Sequence, residues 1–258
     1  MTSLSVLIGF ALLTAAAAYI QTVTGFAFGL ITMGGVGLTG LLSLADAAVI
    51  VSVLSLVNAT QMLTKGWRDV AWRQFALVMV AGAPMLFVGF WLLEQLAGSR
   101  VDLLRITLGV VIIVSSVQLA RKPQAHRQPS SGKSFLFFGA VAGVMGGMFS
   151  TSGPPLVYHM YRQPLSSVTI RETLVAVFAM NAAIRIGLAT VSSEVPASLT
   201  ILALAALPSV MGATYAARRW PPPFSPDTLR RVVFLLLLLS GVSLGAPAIL
   251  HLFAATPG

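Results

Sequence analysis

A break of small and hydroxyl residues interrupts the apolar sequence twice, as Thr22-Val23-Thr24-Gly25 and as Ser150-Thr151-Ser152-Gly153. In lipid, an interrupted helix leaves backbone N–H and C=O groups without partners. Such a break survives only where protein or a polar cavity satisfies them. Paired breaks in corresponding halves of a membrane protein point to a substrate site. The chain is thereby confined to helices through a bilayer, broken at two sheltered places.

Composition agrees. The chain is 57% hydrophobic and 9% charged, with mean hydropathy +0.90, where a soluble domain carries about 25% charged residues. The apolar runs are continuous, as in Val232–Leu239, whereas strands of an outer-membrane barrel alternate apolar with polar residues. The expected fold class is an all-α polytopic membrane protein, with the lipid bilayer as its first partner. The net charge of +9 does not mark a nucleic-acid binder, because the basic residues stand in short clusters between apolar runs, as cytoplasmic loops do. The absence of cysteine excludes disulfides and thiolate metal sites; no metal or cofactor is expected. Ala15–Ala18 after an apolar run superficially resembles a signal peptide. The first Lys or Arg is Lys65, so a basic leader region is lacking and a retained first helix is expected.

Ten apolar segments follow one another, roughly 4–20, 25–43, 46–64, 72–95 and 101–120, then 135–150, 153–162, 172–190, 198–217 and 231–252. Gly25 precedes Gly153 by 128 positions, Asn58 precedes Asn181 by 123, Pro84 precedes Pro208 by 124, and Asp102 with Arg105 precedes Asp227 with Arg230 by 125. Across 101–119 against 226–244, six of nineteen positions are identical. Such consistent offsets indicate duplication. The expected organisation is a first repeat over 1–122, a linker over 123–134 and a second repeat over 135–258. Five segments per repeat is an odd number, so the second copy is inverted. Lys65, Arg68, Arg73, the linker, Arg162, Arg171, Arg218, Arg219, Arg230 and Arg231 then share one side. The other holds mainly Arg100, Arg105, Glu94, Asp102 and Glu194. The positive-inside rule puts the linker in the cytoplasm and both termini outside. Segments 135–150 and 153–162 are short against the roughly 20 residues a crossing needs. The first two segments of each repeat are therefore expected to form a broken or re-entrant hairpin, its tip at the break.

Candidate site residues follow from the breaks. Ser150, Thr151, Ser152 and Gly153 before Pro154 read as a helix start, and Thr22 and Thr24 before Gly25 form the first copy. Helix N-termini carry free N–H groups and about half a positive charge, which suits an anion. The plainer reading is that glycine and serine permit close helix packing. Asn58 and Asn181 lie mid-segment in matching helices, as substrate-path residues or as interhelical hydrogen bonds. Arg185 follows Asn181 by one turn, its counterpart in the first repeat being Met62; it either binds the anion or snorkels to the outer interface. Gln21 precedes the first break and is a further candidate. His159 is either a proton carrier or, more commonly for a lone histidine, a packed residue. Trp67, Trp72 and Trp220 read as interfacial anchors. All seven acidic residues fall near segment ends, which disfavours a carboxylate proton relay.

Two stretches carry a family resemblance: Gln21-Thr22-Val23-Thr24-Gly25-Phe26-Ala27-Phe28-Gly29, and Gly143 to Leu156 with its Ser-Thr-Ser-Gly-Pro-Pro element. With them the chain resembles the sulfite exporter TauE/SafE family, also described as toluene-sulfonate uptake permeases, over nearly its whole length. The resemblance implies a multi-pass protein of the bacterial inner membrane, not an enzyme, whose partner is a small anion such as sulfite, a sulfonate or another organic anion. Many relatives carry proline after the first motif, where this chain has Met33-Gly34-Gly35. Export by alternating access is the expected activity; ion-coupled import of carboxylates or sulfonates is the alternative. A homodimer is compatible with either. An intramembrane serine protease built on Ser150 or Ser152 with His159 is the reading from another class, and a structural membrane protein a third.

Overall fold

The computed structural model describes residues 4–120, 126–192, 197–220 and 226–254. Residues 121–125, which hold the end of the first repeat and the start of the linker, and Glu194 of the charge argument above lie outside them. The described residues form ten α-helices and no strand. They are α1 (Leu4–Thr24), α2 (Phe28–Thr39), α3 (Leu44–Gly66), α4 (Trp72–Ser99) and α5 (Val101–Ala120), then α6 (Gly132–Phe149), α7 (Pro154–Tyr161), α8 (Ser167–Ser192), α9 (Ala197–Arg219) and α10 (Pro226–Ala254). Each expected segment has become one helix; the second break falls on the hydroxyl residues Ser150–Ser152, and the first falls just after Thr22 and Thr24, at Gly25–Ala27. Seven helices among the described residues are long and apolar enough to cross a membrane. The short limbs α2 and α7, of 12 and 8 residues, reach only about 18 and 12 Å at 1.5 Å per residue. Each hairpin therefore pairs one long limb with one short one.

Local chemistry sets the ends. Ser43 caps α3 by accepting from the Asp46 N–H at 3.1 Å. Pro154 and Pro155 occupy the first positions of α7, where their missing N–H groups cost nothing. Pro84, Pro208 and Pro247 lie inside α4, α9 and α10, positions that membrane helices tolerate. Leu12, Val80 and Val191 are exposed, as suits surfaces that face lipid tails. Trp67, Trp72 and Trp220 are exposed at helix ends.

Packing runs across the linker. α1 lies against α9, α4 against α6, α3 against α8 and α5 against α10, so helices of the two sequence halves interleave. The tightest seam is α4 with α6. A Cβ on Gly143 would collide with the Gly82 carbonyl, and one on Gly147 with the Leu86 carbonyl. Such small-residue seams let membrane helices approach closely. Gly143 and Gly147 of the second family stretch thus serve packing, whereas Gly146 faces Ser152 and Asn181.

Candidate functional site

At the first break, the Gly25 N–H closes the last turn of α1 on the Gln21 carbonyl at 2.6 Å. Gly25 at φ +82° and Ala27 at φ +89° then turn the chain into α2. Gly25 is required twice over, because a Cβ there would also stand 2.6 Å from Arg171 Cγ. Its N–H is consequently spent within α1 and is not offered to an anion. Gln21 spans the break: its Oε1 accepts from the Phe28 N–H at 3.1 Å, and its Nε2 donates to Asn58 Oδ1 at 2.8 Å. Asn58 Nδ2 in turn donates to Thr214 Oγ1 at 2.7 Å and to Thr22 Oγ1 at 3.3 Å.

At the second break, Ser150 ends α6 at φ +53° and Gly153 leads into α7 at φ +70°. The Ser150 hydroxyl accepts from Arg185 Nε at 2.8 Å, donates to the Ala48 carbonyl at 2.5 Å and lies 2.5 Å from Ser52 Oγ. Asn181 Nδ2 donates to Ser152 Oγ at 2.5 Å. In both halves, then, an asparagine ties its helix to a hydroxyl of the neighbouring break.

Gly29 at the start of α2 packs on the Ser150 carbonyl and Thr151, which brings the two breaks together. Between them lies a cavity with about 320 Å³ of space not filled by atoms, part of it continuous with solvent. Its walls are Ser150, Thr151, Ser152, Gly153 and Pro154 on one side, and Gln21, Gly29 and Ser55 on the other. Arg185 stands behind Ser150, only 1% exposed, so it does not snorkel. Its guanidinium lies 5.3 Å from the Phe90 ring, and both Nη atoms are buried without a hydrogen-bond partner. Asn181 Oδ1 is likewise buried and unpartnered. Unsatisfied donors on a buried charge are costly, and an oxyanion is their natural complement.

Three expected site residues stand elsewhere. Thr24 folds its hydroxyl back onto the Ile20 carbonyl at 2.8 Å, and its own carbonyl accepts from Tyr161 Oη at 3.0 Å. Thr22 lines a second cavity with Arg171, Glu172 and Arg218. His159 is stacked on Phe138 at 4.3 Å and edge-on to Phe135 at 4.7 Å, with Gln163 as its side-chain neighbour. It is not paired with Ser150 or Ser152, whose hydroxyls are engaged by Arg185 and Asn181. The serine–histidine dyad of a protease is not formed.

Sequence reasoning missed Ser52, Ser55, Thr214 and Phe90. One signal was available: Phe90 precedes Thr214 by 124 positions, the offset relating Pro84 to Pro208. Thr214 bonds to Asn58 behind the first break, and Phe90 lies against Arg185 behind the second. Among the described residues no cluster of histidine and acidic side chains fits a metal ion.

The model of the sulfite exporter TauE/SafE family matches residues 10–244. The chain is 39% identical over 243 residues to the "Probable sulfite/organosulfonate exporter TauE" of Cupriavidus necator, covering 94% of this chain and 95% of that one. It is 29% identical over 179 residues to the "Probable inner membrane transporter protein TsaS" of Comamonas testosteroni, covering 69% and 74% respectively. No solved structure matches.

Proposed function

The chain belongs to the sulfite exporter TauE/SafE family, and from that premise we propose that it exports sulfite or an organosulfonate across a bacterial inner membrane. The observation that carries this reading is the pair of unpartnered, buried Arg185 Nη atoms, on the side chain whose Nε donates to the cavity-lining Ser150 hydroxyl. There an anion is held by Arg185, which Ser150 positions through its Nε, by the hydroxyls of Thr151 and Ser152, and by the amide N–H groups of Gln21 and Asn181. The N-terminus of α2 adds its partial positive charge, whereas α7 opens on Pro154 and Pro155, which have no N–H to offer. No carboxylate lines this cavity. Export needs no proton relay, since each negative charge leaving a negative interior gains about 2.3 kcal/mol per 100 mV.

The proposed architecture is a pair of inverted repeats, 1–122 and 135–258, with the linker in the cytoplasm and both termini outside. Helix pairing supports it: α1 meets α9 as α6 meets α4, and α3–α8 and α5–α10 are the self-related pairs. Because each repeat packs mainly on the other, the bodies that rock against each other are mixed sets of helices rather than sequence halves. Alternating access around a fixed site follows from such a pair.

Thermal stabilisation of the purified protein by sulfite, sulfoacetate, sulfate, lactate and chloride tests the reading. Sulfite or sulfonate should stabilise selectively, and Arg185→Gln should abolish the response. Stabilisation by carboxylates alone would favour an organic-anion importer. An undiminished sulfite response in folded Arg185→Gln would overturn the site.

A further inference from the structure

Below the first break, on the linker-bearing face, lies a second, partly open cavity of about 300 Å³. Thr22, Met62, Arg171, Glu172, Ala217 and Arg218 form its walls. Two features set it apart from a solvated crevice. Glu172 is 1% exposed, yet Arg171 Nε and Nη2 both land on its Oε1, at 3.0 and 2.9 Å. Its Oε2 is buried with no partner. A matched guanidinium–carboxylate pair uses both oxygens, so this pair is half made. Arg218, for its part, donates to the Gln61 and Met62 carbonyls at 2.8 and 2.9 Å, and Tyr161 covers the Thr24 carbonyl. The negative ends of α3 and α1 are thus neutralised where they face this space. Two arginines and one carboxylate leave the wall with one net positive charge.

We propose that this cavity is a docking site for the transported anion, occupied before the central site, in which Arg171 exchanges Glu172 for the incoming oxyanion. The inference rests on the anion-transport reading above. Passage from one cavity to the other crosses the hydrogen-bonded cluster of Thr22, Asn58, Gln21 and Thr214, since Thr22 lines the second cavity and Gln21 the first. Glu172 holds Arg171 ready between arrivals and competes with the anion for it. Removing that competitor makes the site bind better, the opposite of what loss of a structural ion pair does.

The test is the initial rate of radiolabelled sulfite uptake in membrane vesicles of both orientations. Glu172→Gln should lower KM at the linker face, and Arg171→Gln should raise it, each several-fold. KM at the opposite face should stay unchanged. Raising ionic strength should increase KM at the linker face in the parent chain and much less in Arg171→Gln, because exposed charges steer anions through a screened field. Arg171→Gln strands the Glu172 charge; if it fails to accumulate, Arg171→Gln/Glu172→Gln removes both charges and should show the same raised, salt-insensitive KM. Equal KM shifts at both faces, or a raised KM in Glu172→Gln, would overturn the docking site while leaving sulfite transport intact. A parent chain that moves no sulfite would overturn the transport reading itself, and this proposal with it.

Discussion

At the scale of single residues, the second break depends on hydroxyls whose partners are already fixed. Ser152→Ala leaves Asn181 Nδ2 without its acceptor, next to an Oδ1 that already lacks a donor. The cost should be about 1–2 kcal/mol, since hydrogen bonds between membrane helices are modest and a stranded buried amide is not. Unfolding of the detergent-solubilised protein measures it, and Ser152→Thr should recover most of the loss. A Ser152→Ala chain as stable as the parent would mean the amide finds another partner. The breaks themselves were legible because hydroxyl–glycine runs stand out in apolar sequence. Ser52 and Thr214 were not, because each hydroxyl also bonds its own helix four residues back, at 2.8 and 2.7 Å. A lone serine or threonine so satisfied leaves no trace in composition. Thr24 stands apart for the converse reason: its chemistry suits a site, but a backbone carbonyl claims it first, while His159 packs on aromatic rings as a lone histidine commonly does.

At the scale of helices, the α4–α6 seam should tolerate least. A methyl group at Gly143 meets backbone rather than a flexible side chain, and Gly143→Ala should cost about 1–3 kcal/mol of overpacking. Gly187 is the control: a Cβ there would have nothing within 4 Å, and Gly187→Ala should be neutral or slightly stabilising in a helix. Denaturation of both variants decides, and equal effects would show that the seam has slack. Helix number and break positions could be read from apolar runs because each run has to cover a fixed thickness of lipid. Helix ends were harder to place. α1 continues to Thr24 rather than stopping near residue 20, because Thr24 bonds back into its own last turn and the chain reverses only at Gly25.

At the scale of the whole molecule, sidedness is the open expectation, and the cysteine-free chain makes it accessible. Thr39→Cys, at the exposed end of α2, and Arg127→Cys, in the exposed linker, should react with a membrane-impermeant maleimide from opposite sides. Thr39→Cys should label in intact cells and Arg127→Cys only in everted vesicles. The reverse pattern would invert the molecule and place both termini inside. Which helices neighbour which was not legible: periodicity tells a helix which face to bury, but not against whom.

The interleaving of halves has a consequence for biogenesis. α1 ends at residue 24 and its partner α9 begins at residue 197, so the ribosome makes the first helix roughly 10–30 s before the second exists. During that interval α1 and α5 sit in lipid without α9 and α10, whereas the glycine seam of α4 can close as soon as α6 is made. The nascent chain is therefore a client for whatever shelters half-built membrane proteins, and it is most vulnerable to quality-control proteolysis just before its last two helices arrive.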